Sequence, residues 1–514
     1  MVRERTVMFE GCNQRTLSFV RIVLLARPVV LAFPPERSYP LKGHPTPDDL
    51  AYAAIRHLRR LAKIDPGNGP PGNKQKRRKT RFLPDEIGLA SSASAVTIAA
   101  KNIPENRPWP VSDHALGCDN VSGVIPRDRF RHRAPNDPHP PTIPTAAVKF
   151  EKVRLQAIAV TLPSEIVTSD DVEARLEPLY QRLKLPAGRL EGMSGIRQRR
   201  VWSQGTMPSG PSILSGNAVI AAAGIDPGRV GCLIHASVCR DFLEPATASR
   251  VHHGLGLSDR CWAYDVSNAC LGMLNGAVQV ATLIEAGAIA AGLVVATENS
   301  RPLLDQTIRV LNEDVTLTRQ SVKPAFASLT IGSGSCAMLL THRDESKTGP
   351  LRHQGSDFLA AAVAARTQFH DLCRSDQDTA GAGMTPVMDT DSEALLHEGI
   401  ETGALAFDRF LHESGWDRES IDQTICHQVG GRHRAMMLDR LGLLPARDHV
   451  VFPWTGNTGS VALPITLGDA AHRGLLSPGH RVALLGIGSG IHSVMLAIRW
   501  GDTAVTGNFP HELP

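Results

Sequence analysis

The stretch GIDPGRVGCLIHASV, residues 224–238, returns as GWDRESIDQTICHQV at residues 415–429, a constant offset of 191 residues. Gly224, Asp226, Val230 and Ile234 meet Gly415, Asp417, Ile421 and Ile425. Each copy reads as a helix stopped by glycine, a turn opened by aspartate and a buried apolar strand. Farther along both halves, AGAIAAGLVVATE (286–298) parallels LSPGHRVALLGIGS (476–489), again a loop and then a buried strand. Residues 150–514 alternate short apolar runs with Ala/Leu-rich helical stretches, the pattern of a layered α/β fold. The expectation is two duplicated α/β halves, 150–345 and 346–514, packed about a pseudo-twofold axis with equivalent loops facing each other.

The repeat also places the chemistry. AYDVSNACLGMLNGAVQVATLIEAG (263–287) reads as a strand, a tight turn and a long helix opening near Cys270. A thiol at a helix N-terminus feels the positive end of the dipole and ionises more readily; the alternative for a lone cysteine is a small buried hydrophobe. The offset carries Val266 onto Asn457, in the polar turn PWTGNTGSVALP, so Asn457 should face Cys270. His427 ends the second-half strand in ICHQVGGRH. A nucleophile and two polar groups converging from equivalent loops can form and stabilise a thioester. The glycines of GIGSG (486–490) lack the strand-to-helix setting of a dinucleotide site and fit close backbone approach to a reacting oxygen.

DVSNACLGMLNG, CHQVGGRH, GNTGSVALP and LLGIGSGIHSVML, with GIRQRRVW at 195–202, resemble the thiolase superfamily in its ketoacyl synthase III branch. The resemblance spans about residues 150–500. It implies a five-layered αβαβα duplication, with Cys270 as acyl-accepting nucleophile, His427 and Asn457 beside it, and an oxyanion hole from the backbone N–H groups of Cys270 and Ser489. It also implies an obligate homodimer, its substrates arriving as CoA or carrier-protein thioesters; the chemistry needs no metal or redox cofactor, and nine cysteines without regular spacing suit a reducing cytoplasm. An acyl carrier protein and downstream olefin-pathway enzymes are further candidate partners.

Within that branch RDFLEPATAS (240–249), PLYQRL (178–183) and AFASLTIGSGSCAML (325–339) look closer to OleA-type enzymes, which condense two fatty acyl-CoA molecules head to head. A Claisen condensation needs a carbanion beside a thioester carbonyl. Decarboxylation of a malonyl donor supplies one without a protein base; a plain acyl-CoA must lose a C–H proton to one. Glu244 is the candidate base. Phe242, Leu243 and Pro245 are expected to surround it with apolar groups and raise its basicity, and the resemblance implies that it acts across the dimer interface on the partner's thioester. Three rival readings are a decarboxylating 3-oxoacyl-carrier-protein synthase III, a ketone- or polyketide-forming relative and a catalytically silent thiolase-fold binding protein.

The net charge of +4 hides an uneven split. Residues 1–149 hold 24 of the 55 Lys/Arg, 13 of the 51 Asp/Glu and 19 of the 36 prolines, including the run KQKRRKTR at 74–81. Basic, Pro-rich sequence without periodicity rarely buries enough surface to fold. A solvated extension outside the catalytic fold is one expectation, a nucleic-acid patch the lesser alternative, and a true translation start at Val148 a third. LSFVRIVLLARPVVLAF (17–33) is broken by Arg21, Arg27 and Pro28, so a membrane span is not expected. Nine cysteines without a CxxC pair argue against a zinc ribbon or disulfide framework.

Overall fold

The computed structural model describes residues 146–345, 351–375 and 388–511, with the backbone of three short strands nearer the N-terminus. Contacts divide the chain into two compact units, Met1–His132 and Arg133–Pro514. In the first, Val7–Met8, Phe19–Ile22 and Ile98–Ala100 form an antiparallel sheet. The expectations for the rest of 1–145, including a solvated tail, lie outside the described residues. No helix among the described residues is long and apolar enough to cross a membrane.

Among its described residues the second unit is built on nine main strands. They are β1 (Val153–Thr161), β2 (Val230–His235), β3 (Trp262–Asp265), β4 (Ala291–Glu298), β5 (Gly334–His342), β6 (Gly355–Ala365), β7 (Gln423–Cys426), β8 (Arg481–Gly488) and β9 (His492–Asp502). The first half runs β3-β2-β4-β5-β1 and the second β7-β8-β9-β6. In both, the first neighbours pair parallel and the later ones antiparallel. The counterpart of β3 in the second half shrinks to one bridge, Thr424 to Asp448. A short antiparallel register joins β1 to β6, Leu155 opposite Ser356. The terminal strands cross over. Ala147–Lys149 adds to β6, carrying the folded part upstream of residue 150, while Ala504–Gly507 adds to β1.

The quoted repeat is now physical. Gly224 ends helix α1 (Ser209–Ala223) with φ +74°. Gly415, with φ +67°, ends its counterpart Ser392–Ser414. That left-handed conformation is nearly free only for glycine. Asp226 then accepts the Gly228 N–H, and Asp417 caps the matching turn, before β2 and β7 begin.

Both faces of the inner strands are buried, so alternate residues enter different cores. Ile234, Val294, Leu484 and Leu496 face one central cluster with helices α2 (Gly272–Glu285) and Ala462–His472. On the opposite faces Leu233, Leu293 and Val295 pack on α1, and Leu485, Met495 and Ala497 pack with Phe407 and Phe410 of Ser392–Ser414. The layers are helix, sheet, paired central helices, sheet, helix: the expected αβαβα duplication.

Candidate active site

Cys270 occupies the turn from β3 into α2. Ala269 before it is left-handed, φ +44°, which costs a residue bearing a Cβ about 1 kcal/mol. The Leu271 N–H closes the turn on the Asn268 C=O at 2.9 Å, and the Asn268 amide donates to Asn275 Oδ1 at 2.8 Å. A Cβ at Gly272 would stand 2.4 Å from the Ala236 C=O, so glycine there lets the helix start lie against the end of β2. Burial, then the nearby Glu298 carboxylate and Cys373 thiol, push the Cys270 thiol up to about 12. The expected easing of ionisation is thus reversed. A helix terminus contributes about 0.3–1 kcal/mol, too little against lost solvent and a like-signed neighbour. The resting residue is a neutral thiol.

Ser489 follows the end of β8. A Cβ at Gly488 would lie 2.9 Å from Leu271 Cγ and 3.7 Å from the Cys270 backbone nitrogen. The main chains of the two turns therefore run side by side, an arrangement in which two N–H groups can converge on one oxygen. The Ser489 hydroxyl lies near the Cys373 thiol and eases its ionisation, against the larger effect of burial.

His427 ends β7, its N–H donating to the Leu485 C=O of β8 at 3.1 Å. Its ring meets His433 of helix Gly431–Leu441 edge to face, centroids 5.7 Å apart. Burial and that second imidazole push His427 down to about 3, and its buried Nδ1 has no hydrogen-bond partner among the described residues. A neutral imidazole held this way can donate to an oxygen without bringing a full charge.

Asn457 is clipped to the first half by its backbone: its N–H donates to the Thr330 C=O at 3.0 Å, and its C=O accepts the Gly332 N–H at 2.9 Å. Oδ1 accepts the Gly459 N–H at 3.1 Å, which turns the amide NH₂ the other way. The same turn touches the start of the Cys270 helix, where a Cβ on Gly272 would come 3.4 Å from Ser460 Cβ. The fold therefore gathers Cys270, Ser489 and the Asn457 turn, with His427 at the end of the adjoining strand.

Glu244 stands apart. The loop carrying it is tied down on both sides: the Val238 N–H donates to Glu298 Oε1 at 3.0 Å, Asp241 accepts the Ser209 N–H at 2.9 Å, and Asp265 of β3 accepts the Thr247 and Ala248 N–H groups at 2.8 Å each. Between these anchors Phe242 is 53 % exposed, Leu243 is 52 % exposed and Glu244 itself is exposed. The apolar enclosure expected from Phe242 and Leu243 is not formed within one chain; their side chains face outward with the carboxylate.

Sequence reasoning missed Glu298. It closes β4, whose eight residues are all buried. A carboxylate ending so apolar a run was the available signal. Among the described residues no group of three or more His, Cys, Asp or Glu side chains could hold a metal ion.

A family model for the C-terminal part of 3-oxoacyl-[acyl-carrier-protein] synthase III matches residues 411–500. An acyl-CoA:acyl-CoA alkyltransferase of Shewanella oneidensis is 38 % identical over 354 residues, covering 69 % of this chain and 100 % of that protein. This chain belongs to the thiolase superfamily, in its ketoacyl synthase III-like branch. Another member, the acyl-CoA:acyl-CoA alkyltransferase of Xanthomonas campestris, is 34 % identical over 68 % of this chain and 99 % of its own length. A thiolase-superfamily crystal structure, that of Xanthomonas campestris OleA with bound lauric acid and lauroyl-CoA, superposes with a TM-score of 0.62 at 32 % identity, covering 68 % of this chain and all of that one.

Three buried imidazoles give this thiolase-like fold a specific acid sensitivity. His235, His427 and His433 are pushed by burial to about 4, 3 and 4, from 6.5 in an open chain. The unfolded chain binds their protons first, so their contribution to stability is complete above 6.5 and lost as pH falls toward 4. Between pH 7.5 and 5.5 the expected loss is about 4 kcal/mol. Urea midpoints at the two pH values measure it, and an unchanged midpoint contradicts the burial of neutral rings.

Proposed function

We propose that this protein condenses two fatty acyl-CoA molecules without decarboxylation, through an acyl-cysteine on Cys270. The observation that carries the reading is the carboxylate of Glu244, presented at the tip of a loop anchored on both sides. A decarboxylating synthase has no use for such a base.

In the first stage the Cys270 sulfur attacks an acyl-CoA carbonyl. The Cys270 and Ser489 N–H groups hold the developing oxyanion, CoA leaves as its thiolate, and the cysteine proton ends on it. In the second stage another acyl-CoA places its thioester oxygen near His427 and Asn457. Glu244 takes a proton from the α-carbon, the carbanion attacks the acyl-cysteine carbonyl, and the C–C bond forms as the Cys270 thiolate leaves. The product is a 2-alkyl-3-oxoacyl thioester, and water releases it as a β-keto acid. Every step uses side chains and backbone donors of the protein alone.

Glu244 reaches its substrate from a neighbouring subunit in this reading. Strand β3 ends the sheet with Trp262 57 % exposed, and unpaired strand edges favour pairing with another strand. Asp265 of that strand anchors the Glu244 loop, so a twofold pairing of β3 edges would carry Phe242, Leu243 and Glu244 into the other protomer. The partner would then supply the missing desolvation. A cytoplasmic location fits the seven described cysteines, all free; disulfides are rare there.

Product analysis tests the proposal. One saturated acyl-CoA of n carbons, supplied as the only thioester, is expected to yield a β-keto acid of 2n carbons or its ketone, with CoA released. Acylated Cys270 accumulating with no C–C product refutes it.

A further inference from the structure

We propose that Glu298 is a positioning residue that locks the Asn457 turn to the Glu244 loop for the condensation step; the inference rests on the function proposed above. Glu298 is buried at the end of β4. Its Oε1 accepts the Ser460 hydroxyl at 2.5 Å and the Val238 N–H at 3.0 Å, and its Oε2 accepts the Cys239 N–H at 3.4 Å. A Cβ at Gly459 would sit 3.2 Å from Glu298 Cγ, and the Gly459 N–H is the donor that orients the Asn457 amide. One carboxylate thus fixes the residues that aim Asn457 on one side and the root of the Glu244 loop on the other. Three donors converge on it, a demand that only an acceptor with two oxygens meets fully.

The placement is costly for the first stage. Glu298 stands close enough to Cys270 to disfavour its thiolate, and burial makes its own ionisation harder. While Cys270 is acylated its sulfur carries no charge, so that conflict is absent through proton removal from the second thioester and returns only as the Cys270 thiolate leaves. The carboxylate therefore hinders acylation while organising the step that follows. Mere structural support would not give effects of opposite sign on the two stages.

The test compares the full-length wild type, Glu298→Gln and Glu298→Ala with one saturated acyl-CoA. Acylation of Cys270 is read in a single turnover by mass spectrometry, and coupling as β-keto acid formed. Glu298→Ala is expected to couple about 100-fold more slowly, the effect of a displacement near 1 Å in reacting groups, with acylation unchanged or faster. Glu298→Gln retains an oxygen for Ser460 and Val238 and should recover coupling to within about 10-fold of wild type. Equal losses of acylation and coupling in both variants, or full coupling in Glu298→Ala, overturn the inference. If the alanine variant does not fold, the glutamine variant decides: slowed coupling with undiminished acylation supports the inference, and parallel losses refute it. A wild type that couples only when a malonyl thioester is added would refute the proposed function instead, and the ratio of coupling to acylation in that assay then judges Glu298 separately.

Discussion

Glu244→Ala is expected to leave acylation of Cys270 intact and lower coupling about a thousandfold. The first stage needs only a sulfur, an oxyanion hole and a leaving thiolate, and none of these touches the exposed loop tip. The second stage needs a C–H proton removed, and a positioned base contributes about 10²–10⁴-fold to such a step. The substitution shortens a side chain that faces outward, so the fold should not respond. Intact-mass measurement of the acylated protein and quantification of β-keto acid separate the stages. Mixing this variant with Cys270→Ala tests the route across the subunit boundary. Neither parent couples, but a mixed dimer holds one site with both groups, and random exchange should restore about a quarter of wild-type activity. No recovery would place the base and the thiol in the same chain.

Cys270→Ala should abolish both stages, with loss beyond about 10⁴-fold, because the acyl chain is carried on the Cys270 sulfur. The turn is shaped by the Leu271–Asn268 bond and the left-handed Ala269. The variant should melt with the wild type. A catalytically silent binding protein would behave otherwise, showing no acyl adduct in the wild type and no change on substitution. Residual product from Cys270→Ala at more than about one part in 10⁴ would contradict the acyl-cysteine on Cys270.

The duplication was legible because its marks are local. Gly224 and Gly415 sit where a helix must end left-handed, and Asp226 and Asp417 cap the turns that follow. Such requirements act on single residues and survive where packing residues drift. The same offset carried Val266 onto Asn457, in the turn that lies against the start of the Cys270 helix. Glu298 was not legible that way, since its donors Val238 and Ser460 lie 60 and 162 residues away and nothing near it in sequence announces them. The ionisation of Cys270 escaped for the same reason: the helix rule is local, while Glu298 and Cys373 arrive through the fold. The surroundings of Glu244 lie a step farther off, because one chain leaves Phe242 and Leu243 facing outward.

The central claim is that the attacking carbon is bared by a carboxylate and not by departing CO₂. Its most direct measurement supplies the wild-type protein with an n-carbon acyl-CoA together with a malonyl thioester labelled in its free carboxyl group. The account predicts a product of 2n carbons, formed at the same rate with or without the malonyl thioester, and no labelled CO₂. Labelled CO₂ released in step with a product of n + 2 carbons would contradict it.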